Sequence, residues 1–322
     1  MKEIPKVKAY IKNDLQSIIA EKEILQNLSH PFIVNLYYSY QDTDNLYLIL
    51  DYLPGGCLRY HLCEQGIFTE TQIKFFISNL ILALEYIHFN NIIHRDLKPE
   101  NLIFDANGYL HLTDFGISRR IDMGPVLCDI SGTPGYISPE MILNEPQNQI
   151  SDYFSVGIIT YELVFGKRPF QGNNKTEIAE NILYKKINLN KANIPAGFSE
   201  ECADFINRLL KKKSSERLGK RGINEIKGHL WIREMDWISI ENKVIREDDI
   251  PFIPGCVDVG TDIIQKKDSK IEKYSSILKK INEMECLKNF YFNCYEKDDE
   301  GKEGDSYKNG NSNFCGPNGN VD

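Results

Sequence analysis

The chain has 322 residues and a mass of 37.1 kDa, a length that suits one large domain or two small ones. Hydrophobic residues make up 42% and charged residues 26%, which indicates a folded globule. The net charge of −8 argues against a general nucleic-acid binder, and no apolar run reaches the roughly 18 residues of a membrane span. The eight cysteines are scattered without a C-x-x-C pair, and the first residues form no secretory signal, so we expect a reduced, cytoplasmic or nuclear monomer.

Residues 1–53 combine short apolar runs typical of strands with one predicted helix over residues 14–28. Glu21 lies within the apolar stripe of that helix, and a carboxylate that faces a core needs a cation. Residues 45–53 are nearly all apolar and predict a strand that Pro54-Gly55-Gly56 ends. The stripe consists of Leu15, Ile18, Ile19, Leu25 and Leu28.

The rest of the chain is mainly helical in pattern. Residues 72–88 repeat apolar side chains at helical spacing, residues 92–113 return to strand character, and residues 152–237 are mostly helical. A small strand-rich segment before a larger helical one predicts an α+β fold with two unequal lobes. Residues 262–288 predict a charged amphipathic helix, and residues 297–322 predict a disordered tail because they are almost devoid of apolar residues.

The densest polar cluster, His94-Arg95-Asp96-Leu97-Lys98-Pro99-Glu100-Asn101, lies between apolar runs, and Asn107-Gly108 follows it as a strong hairpin signal. A two-residue turn would pair Phe104 with His111, Leu102 with Thr113, and Asn101 with Asp114. Because opposite residues in a hairpin have Cβ atoms about 5 Å apart, an amide and a carboxylate would converge there. Such hard oxygen ligands suit a Mg²⁺ ion that takes its other ligands from water and phosphates.

Three motifs stand in order: HRDLKPEN at residues 94–101, DFG at 114–116 and SPE at 138–140. Their order and spacing resemble the catalytic segment of a eukaryotic protein kinase. The resemblance implies a bilobal kinase fold, ATP and Mg²⁺ as cofactors, and transfer of the γ-phosphoryl group to Ser or Thr hydroxyls of protein substrates.

On this resemblance, Asp96 orients and deprotonates the substrate hydroxyl, and Lys98 contacts the transferring phosphate. A lysine at this place marks serine/threonine kinases over tyrosine kinases. Asn101 and Asp114 are the expected Mg²⁺ ligands. The residues expected to contact or position ATP are Lys2, Glu21, Asp51, Leu53, Ile103 and Thr113.

The expected partner of Glu21 is Lys2, which resembles the strand lysine of the family. The alternative is a half-exposed Glu21 and a terminal Lys2 without a partner. A kinase should carry a glycine-rich loop before this lysine, and the sequence begins at Met1. We therefore expect an N-terminally incomplete kinase fragment, or a short kinase-fold scaffold with impaired catalysis, as the alternatives to an active enzyme.

Two acidic residues, Glu100 and Glu162, match those that relatives use to bind a substrate arginine. They predict protein substrates with basic residues near the target hydroxyl, although Cys57 stands where relatives usually have an acid. The alternative is that both glutamates are ordinary surface charges.

Further contacts follow from the resemblance. Asp152 should anchor the backbone of the HRD turn, or act only as a helix N-cap.

Thr133 should contact Asp96 and Lys98. Asp129 should pair with Arg95 in place of a phosphate, and the alternative is that Asp129 is a solvated loop residue. The resemblance also implies a structural ion pair between Glu140 and Arg217. It further implies a stack of four side chains that links the two lobes, formed by Leu25, Leu36, His94 and Phe115.

Strings such as Leu58-Arg59-Tyr60-His61-Leu62 and Pro251-Phe252-Ile253-Pro254 resemble the AGC group, and the first is closest to its YANK-like members. The predicted organisation is a partial small lobe at 1–53, a large lobe at 54–237, an AGC-like tail at 238–258, a helical extension at 259–296 and a disordered tail at 297–322. Phe290-Tyr291-Phe292-Asn293-Cys294-Tyr295 loosely matches the hydrophobic motif of the group, and we interpret it instead as an aromatic cluster at a helix end.

Overall fold

The computed structural model describes residues 1–121, 132–255 and 271–296. The strands are β1 (Lys2–Pro5), β2 (Leu36–Gln41), β3 (Asn45–Leu50), β4 (Ile92–Ile93), β5 (Leu102–Phe104), β6 (Leu110–Leu112), β7 (Arg119–Arg120) and β8 (Phe292–Asn293). The helices are α1 (Lys6–Ile11), α2 (Leu15–Leu25), α3 (Leu58–Gln65), α4 (Glu70–Phe89), α5 (Pro139–Ile142), α6 (Gln149–Phe165), α7 (Lys175–Tyr184), α8 (Glu200–Leu209), α9 (Ile223–Lys227), α10 (Trp237–Glu241), α11 (Ile271–Asn282) and α12 (Glu285–Lys288). Short 3₁₀ helices cover Pro99–Asn101, Ser214–Glu216 and Glu247–Asp249.

The small lobe is an antiparallel sheet with strand order β1-β3-β2-β8, accompanied by α1 and α2. The apolar stripe predicted for residues 14–28 is buried as expected, while α2 itself ends at Leu25. The strand predicted over residues 45–53 ends at Leu50, and residues 51–53 continue as an extended connection to the larger lobe.

The larger lobe is built around α4 and α6, which pack on each other. Helix α4 contains the predicted 72–88 segment and begins with a capping box in which Thr69 and Gln72 exchange hydrogen bonds. Helix α6 is capped by Asn148, so Asp152 lies within the helix and the N-cap alternative for Asp152 is wrong. A small strand-rich lobe and a larger helical lobe confirm the predicted α+β class.

The predicted hairpin is present, but the predicted register differs by one residue from the observed register and is wrong. Leu102 pairs with Leu112 and Phe104 with Leu110, which leaves the five residues 105–109 between the paired strands. The cause is Asp105, whose carboxylate accepts hydrogen bonds from the backbone N–H groups of Asn107 and Tyr109. Gly108 has φ +87°, and a Cβ atom there would collide with the carbonyl oxygen of Phe252.

The C-terminal part of the described chain packs on the small lobe. The helix predicted over residues 262–288 is interrupted at Met284, so α11 and α12 are separate and residues 262–270 lie outside the described part. The bend allows Leu287 and Phe290 to be buried. Phe290-Tyr291-Phe292 is therefore more than a helix-end cluster, because it leads into β8, which pairs with β2.

Polar contacts reinforce this docking. Ser39 Oγ donates to the carbonyl oxygen of Phe290 (2.5 Å), and Gln41 Nε2 donates to that of Leu287 (2.6 Å). Lys22 Nζ donates to the carbonyl oxygen of Asn289 (3.1 Å). Among the described helices, none combines the length and apolar character that a bilayer crossing requires.

Candidate active site

A buried carboxylate, that of Asp152, accepts hydrogen bonds from the backbone of the HRD segment. Asp152 accepts hydrogen bonds from the backbone N–H groups of His94 (3.0 Å) and Arg95 (2.9 Å), and His88 Nε2 lies 2.8 Å from its Oδ2 atom. Burial alone would raise the pKa of Asp152, but the hydrogen bonds from His88 and the backbone hold that pKa below its ordinary value. This contact is the one predicted for Asp152, and it fixes a turn in which Arg95 has φ +73°.

Asp96 lies at the centre of a polar network. Its Oδ2 atom accepts a hydrogen bond from Lys98 Nζ (2.6 Å), and its Oδ1 atom accepts from the backbone N–H (2.9 Å) and hydroxyl (2.8 Å) of Thr133. Lys98 Nζ also donates to Thr133 Oγ1 (2.8 Å). The contacts predicted between Thr133 and both catalytic-loop residues are therefore present.

The two expected metal ligands lie on either side of the β5–β6 hairpin. Asn101 Nδ2 donates to the carbonyl oxygen of Asp96 (2.9 Å), so the amide oxygen of Asn101 is the atom that suits the expected contact with a metal ion. Asp114 is exposed and has φ +65°, and it follows Thr113, whose N–H donates to the Asn101 carbonyl (2.9 Å). Asn101 thus faces Thr113 instead of Asp114, and the sharp turn at Asp114, not the strand register, sets where its carboxylate lies. Within the described ranges there is no cluster of three or more His, Cys, Asp or Glu side chains that could enclose a metal ion.

The ion pair predicted between Lys2, in β1, and Glu21, in α2, is present. Lys2 Nζ lies 2.9 and 2.7 Å from the two carboxylate oxygens of Glu21. Burial raises the pKa of Glu21, Lys2 opposes that rise, and the negative charge of Asp114 adds to it. Since Asp114 influences Glu21 electrostatically, the ion pair and the DFG carboxylate belong to one charged region.

The segment predicted to meet adenine is held by side-chain contacts. The carboxylate of Asp51 accepts hydrogen bonds from the N–H and Nδ2 groups of Asn35 (2.8 Å each) and from Tyr37 Oη (2.7 Å). These bonds commit its side chain to the fold, so only backbone groups of Asp51 are candidates for ligand contact. Leu53 is half-buried nearby in the chain.

Two of the residues expected to contact or position ATP, Ile103 and Thr113, lie in or next to the β5–β6 hairpin. Ile103 forms a β-bridge with Cys57, and Thr113 Oγ1 donates to the carbonyl oxygen of Asn101 (3.2 Å). Both Ile103 and Thr113 are half-buried. The hairpin therefore connects Cys57, which follows the extended connection between the lobes, to Asn101 at the end of the catalytic loop.

Several structural contacts predicted by the resemblance are also present. Arg217 makes a two-pronged ion pair with Glu140 (2.7 and 2.9 Å), and the rings of His94 and Phe115 are in contact with centroids 5.0 Å apart. Leu25 and Leu36 are buried in the same core. The prediction that Asp129 pairs with Arg95 concerns a residue outside the described part of the chain.

Sequence reasoning missed the role of Arg59. Its guanidinium contacts Glu100, Glu162 and Tyr136, so the two glutamates predicted to bind a substrate arginine are engaged by a residue of the chain itself. The partners lie 41 and 103 residues from Arg59 in the chain, and no local pattern signals such a contact. The same is true of His88, whose contact with Asp152 spans 64 residues.

Comparison with known proteins agrees with this geometry. The family model described as "Protein kinase domain" matches residues 1–232, and the chain belongs to that family. It is 40% identical over 261 residues to a probable serine/threonine-protein kinase of Dictyostelium discoideum, covering 81% of this chain and 56% of the relative. It is 37% identical over 252 residues to the serine/threonine-protein kinase sgk-1 of Caenorhabditis elegans, covering 77% and 53%.

A third relative, the cAMP-dependent protein kinase catalytic subunit of Dictyostelium discoideum, is 38% identical over 252 residues, covering 77% of this chain and 37% of the relative. The relatives include members of the AGC group, which confirms the resemblance at that level. The narrower YANK-like assignment stays a prediction. The chain spans about half the length of the first relatives it matches.

Proposed function

We propose that the protein is a serine/threonine protein kinase that transfers the γ-phosphoryl group of ATP to hydroxyl groups of protein substrates. The observation that carries this proposal is the network of Asp96, Lys98 and Thr133 within a protein kinase fold. A lysine two residues after the catalytic aspartate supports serine and threonine over tyrosine as the acceptor.

In this proposal Asp96 accepts the proton of the substrate hydroxyl as the oxygen attacks phosphorus. Lys98 Nζ, which lies between Asp96 and Thr133, carries a positive charge next to the position where charge develops on the transferring phosphate. Asp152 keeps the loop in place through two backbone hydrogen bonds, so that Asp96 needs no reorganisation during the reaction.

The same proposal assigns the nucleotide contacts. Lys2, oriented by Glu21, would bind the phosphates, and backbone groups of residues 51–53 would bind adenine, with Ile103 and Thr113 beneath the nucleotide.

The amide oxygen of Asn101 and the carboxylate of Asp114 are hard oxygen ligands. This donor set fits a Mg²⁺ ion whose other ligands are water and phosphates. When bound, the ion neutralises phosphate charge during transfer.

We further propose that the substrates are proteins and that the enzyme acts in the cytoplasm or nucleus. The thiols of Cys57, Cys63, Cys202, Cys286 and Cys294 are all free, which supports a reducing compartment. The predicted preference for basic substrates rests on Glu100 and Glu162. Because Arg59 engages both, these glutamates do not support that preference.

The test is phosphorylation of a serine-, threonine- and tyrosine-containing peptide library with radiolabelled ATP and Mg²⁺. The intact chain should label serine and threonine, and Asp96→Asn should reduce the rate by about 10²–10⁴-fold while ATP affinity stays the same. If the folded chain labels no peptide, or if Asp96→Asn is as active as the wild type, the proposal is wrong. The first of these results would favour a kinase-fold scaffold.

A further inference from the structure

Arg59 projects from the first turn of α3 into a cluster of oxygen atoms. Its Nε atom donates to Glu100 Oε1 (2.8 Å), and its Nη1 and Nη2 atoms donate to Glu162 Oε1 (3.0 Å) and Oε2 (3.2 Å). Nη2 also donates to the hydroxyl of Tyr136. The guanidinium group therefore makes the two-pronged contact with Glu162 that an incoming arginine would need.

The cluster borders the catalytic network. Glu100 belongs to the 3₁₀ turn Pro99–Asn101, two residues after Lys98 and directly before the proposed metal ligand Asn101. Tyr136 follows closely after Thr133, which hydrogen-bonds to Asp96. Glu100 is thus part of the turn that follows the catalytic Asp96, and Glu162 is linked through Tyr136 to the segment that contains Thr133.

The charges in the cluster are largely satisfied within the chain. Glu162 is nearly buried, with a side chain 5% exposed, and its Oε2 atom also accepts a hydrogen bond from Tyr136 Oη (2.5 Å). Burial alone would lower the pKa of Arg59, but the hydrogen bonds to Glu162 and Glu100 raise it, so the guanidinium stays charged. Breaking this contact would leave a buried carboxylate without its cation, which is strongly unfavourable.

We propose that Arg59 is an internal substitute for a substrate arginine and that it prevents the enzyme from selecting arginine at the peptide position that faces Glu100 and Glu162. This inference rests on the proposed kinase function for its biological meaning. The contact of Arg59 with the two glutamates lies within the chain and does not depend on kinase activity. The preferred substrates then lack a required basic residue at that position, and the glutamates serve to hold Arg59.

The experiment measures peptide binding, which needs no catalysis. Two fluorescent serine peptides, one with arginines before the serine and one with citrulline in the same places, are titrated with the intact chain and followed by anisotropy. Citrulline keeps the shape of arginine and removes its charge. Arg59→Met removes the guanidinium and keeps an apolar stem, and Arg208→Met is the matched control because it removes one charge from an exposed pair with Asp204.

The wild type and Arg208→Met should bind the two peptides with affinities within about threefold of each other, whereas Arg59→Met should favour the arginine peptide by about tenfold. An arginine-to-citrulline ratio for Arg59→Met equal to that of Arg208→Met would overturn the proposal.

A second variant covers the case in which Arg59→Met does not fold. Glu162→Gln in the otherwise wild-type chain should leave the affinity for the arginine peptide unchanged, because Arg59 already engages Glu162. A loss of about tenfold would show that the peptide uses Glu162 and would contradict the proposal. Absence of phosphotransfer in the separate library assay would refute the kinase function without changing these binding ratios.

Discussion

Lys2 and Glu21 form an ion pair that joins the first strand of the small lobe to helix α2, with Lys2 Nζ 2.9 and 2.7 Å from the carboxylate oxygens. The Glu21 side chain is buried, whereas that of Lys2 is 43% exposed. The exposed ammonium group is thus oriented by a fixed carboxylate, in the same charged region as Asp114. This arrangement supports the proposed contact of Lys2 with the phosphates of ATP.

Lys2→Met should weaken ATP binding by about tenfold or more, because the phosphates lose a charged hydrogen-bond donor. The measurement is titration calorimetry with ATP and Mg²⁺. Lys12→Met is the control, since Lys12 is also an exposed lysine of the small lobe and has no proposed role in the site. Equal ATP affinity for Lys2→Met and the wild type would remove Lys2 from the nucleotide site.

Asp152→Asn should destabilise the fold by about 3 kcal/mol, because the amide presents a donor where the carboxylate accepts two backbone hydrogen bonds. Urea unfolding followed by circular dichroism measures the change. Asp248→Asn, at an exposed position, should shift stability by less than about 0.5 kcal/mol. Similar midpoints for the two variants would mean that the HRD turn does not depend on Asp152.

Phe290→Ala should release the C-terminal segment from the small lobe at a cost of about 3 kcal/mol, because the Phe290 side chain is 1% exposed. The adjacent Tyr291 is 60% exposed, so Tyr291→Ala is the matched control and should have little effect. Amide hydrogen exchange of strand β2 reports the release, because β2 pairs with β8. Unchanged protection of β2 in Phe290→Ala would contradict this account of the docking.

Lys212 makes stability depend on pH. Burial, together with the positive charges of Arg217 and Lys185, lowers the pKa of Lys212 from 10.5 to about 7, and its Nζ atom lies 3.8 Å from the centroid of the Phe170 ring. Between these two values the unfolded chain binds more protons than the folded chain, so this group makes the free energy of unfolding rise as pH increases from about 7.

Lys212→Met should therefore be more stable than the wild type at pH 7 and should lose this part of the pH dependence. Urea unfolding at several pH values between neutral and alkaline measures both effects, with the exposed neighbour Lys213→Met as the control. An identical pH dependence in Lys212→Met and the wild type would show that Lys212 keeps an ordinary pKa when folded.

Features of the fold and site that depend on nearby residues follow from the sequence, whereas those that depend on distant residues do not. The catalytic side chains lie in short contiguous motifs, and helices α2 and α4 follow apolar periodicity, so both were predictable. The hairpin register was not, because it depends on which backbone groups the Asp105 side chain binds. The contacts of Arg59 do not follow from the sequence, since its partners come from other helices and turns.

We propose that the Lys2–Glu21 pair and the oxygen ligands Asn101 and Asp114 form one nucleotide site, and Mg²⁺-dependent ATP binding tests this proposal. Calorimetry of the intact chain should show ATP binding that strengthens by about tenfold or more with Mg²⁺. Asp114→Asn should lose this Mg²⁺ effect but retain metal-free ATP binding. A folded chain that binds no ATP, or an Asp114→Asn variant with the full Mg²⁺ effect, would contradict the account.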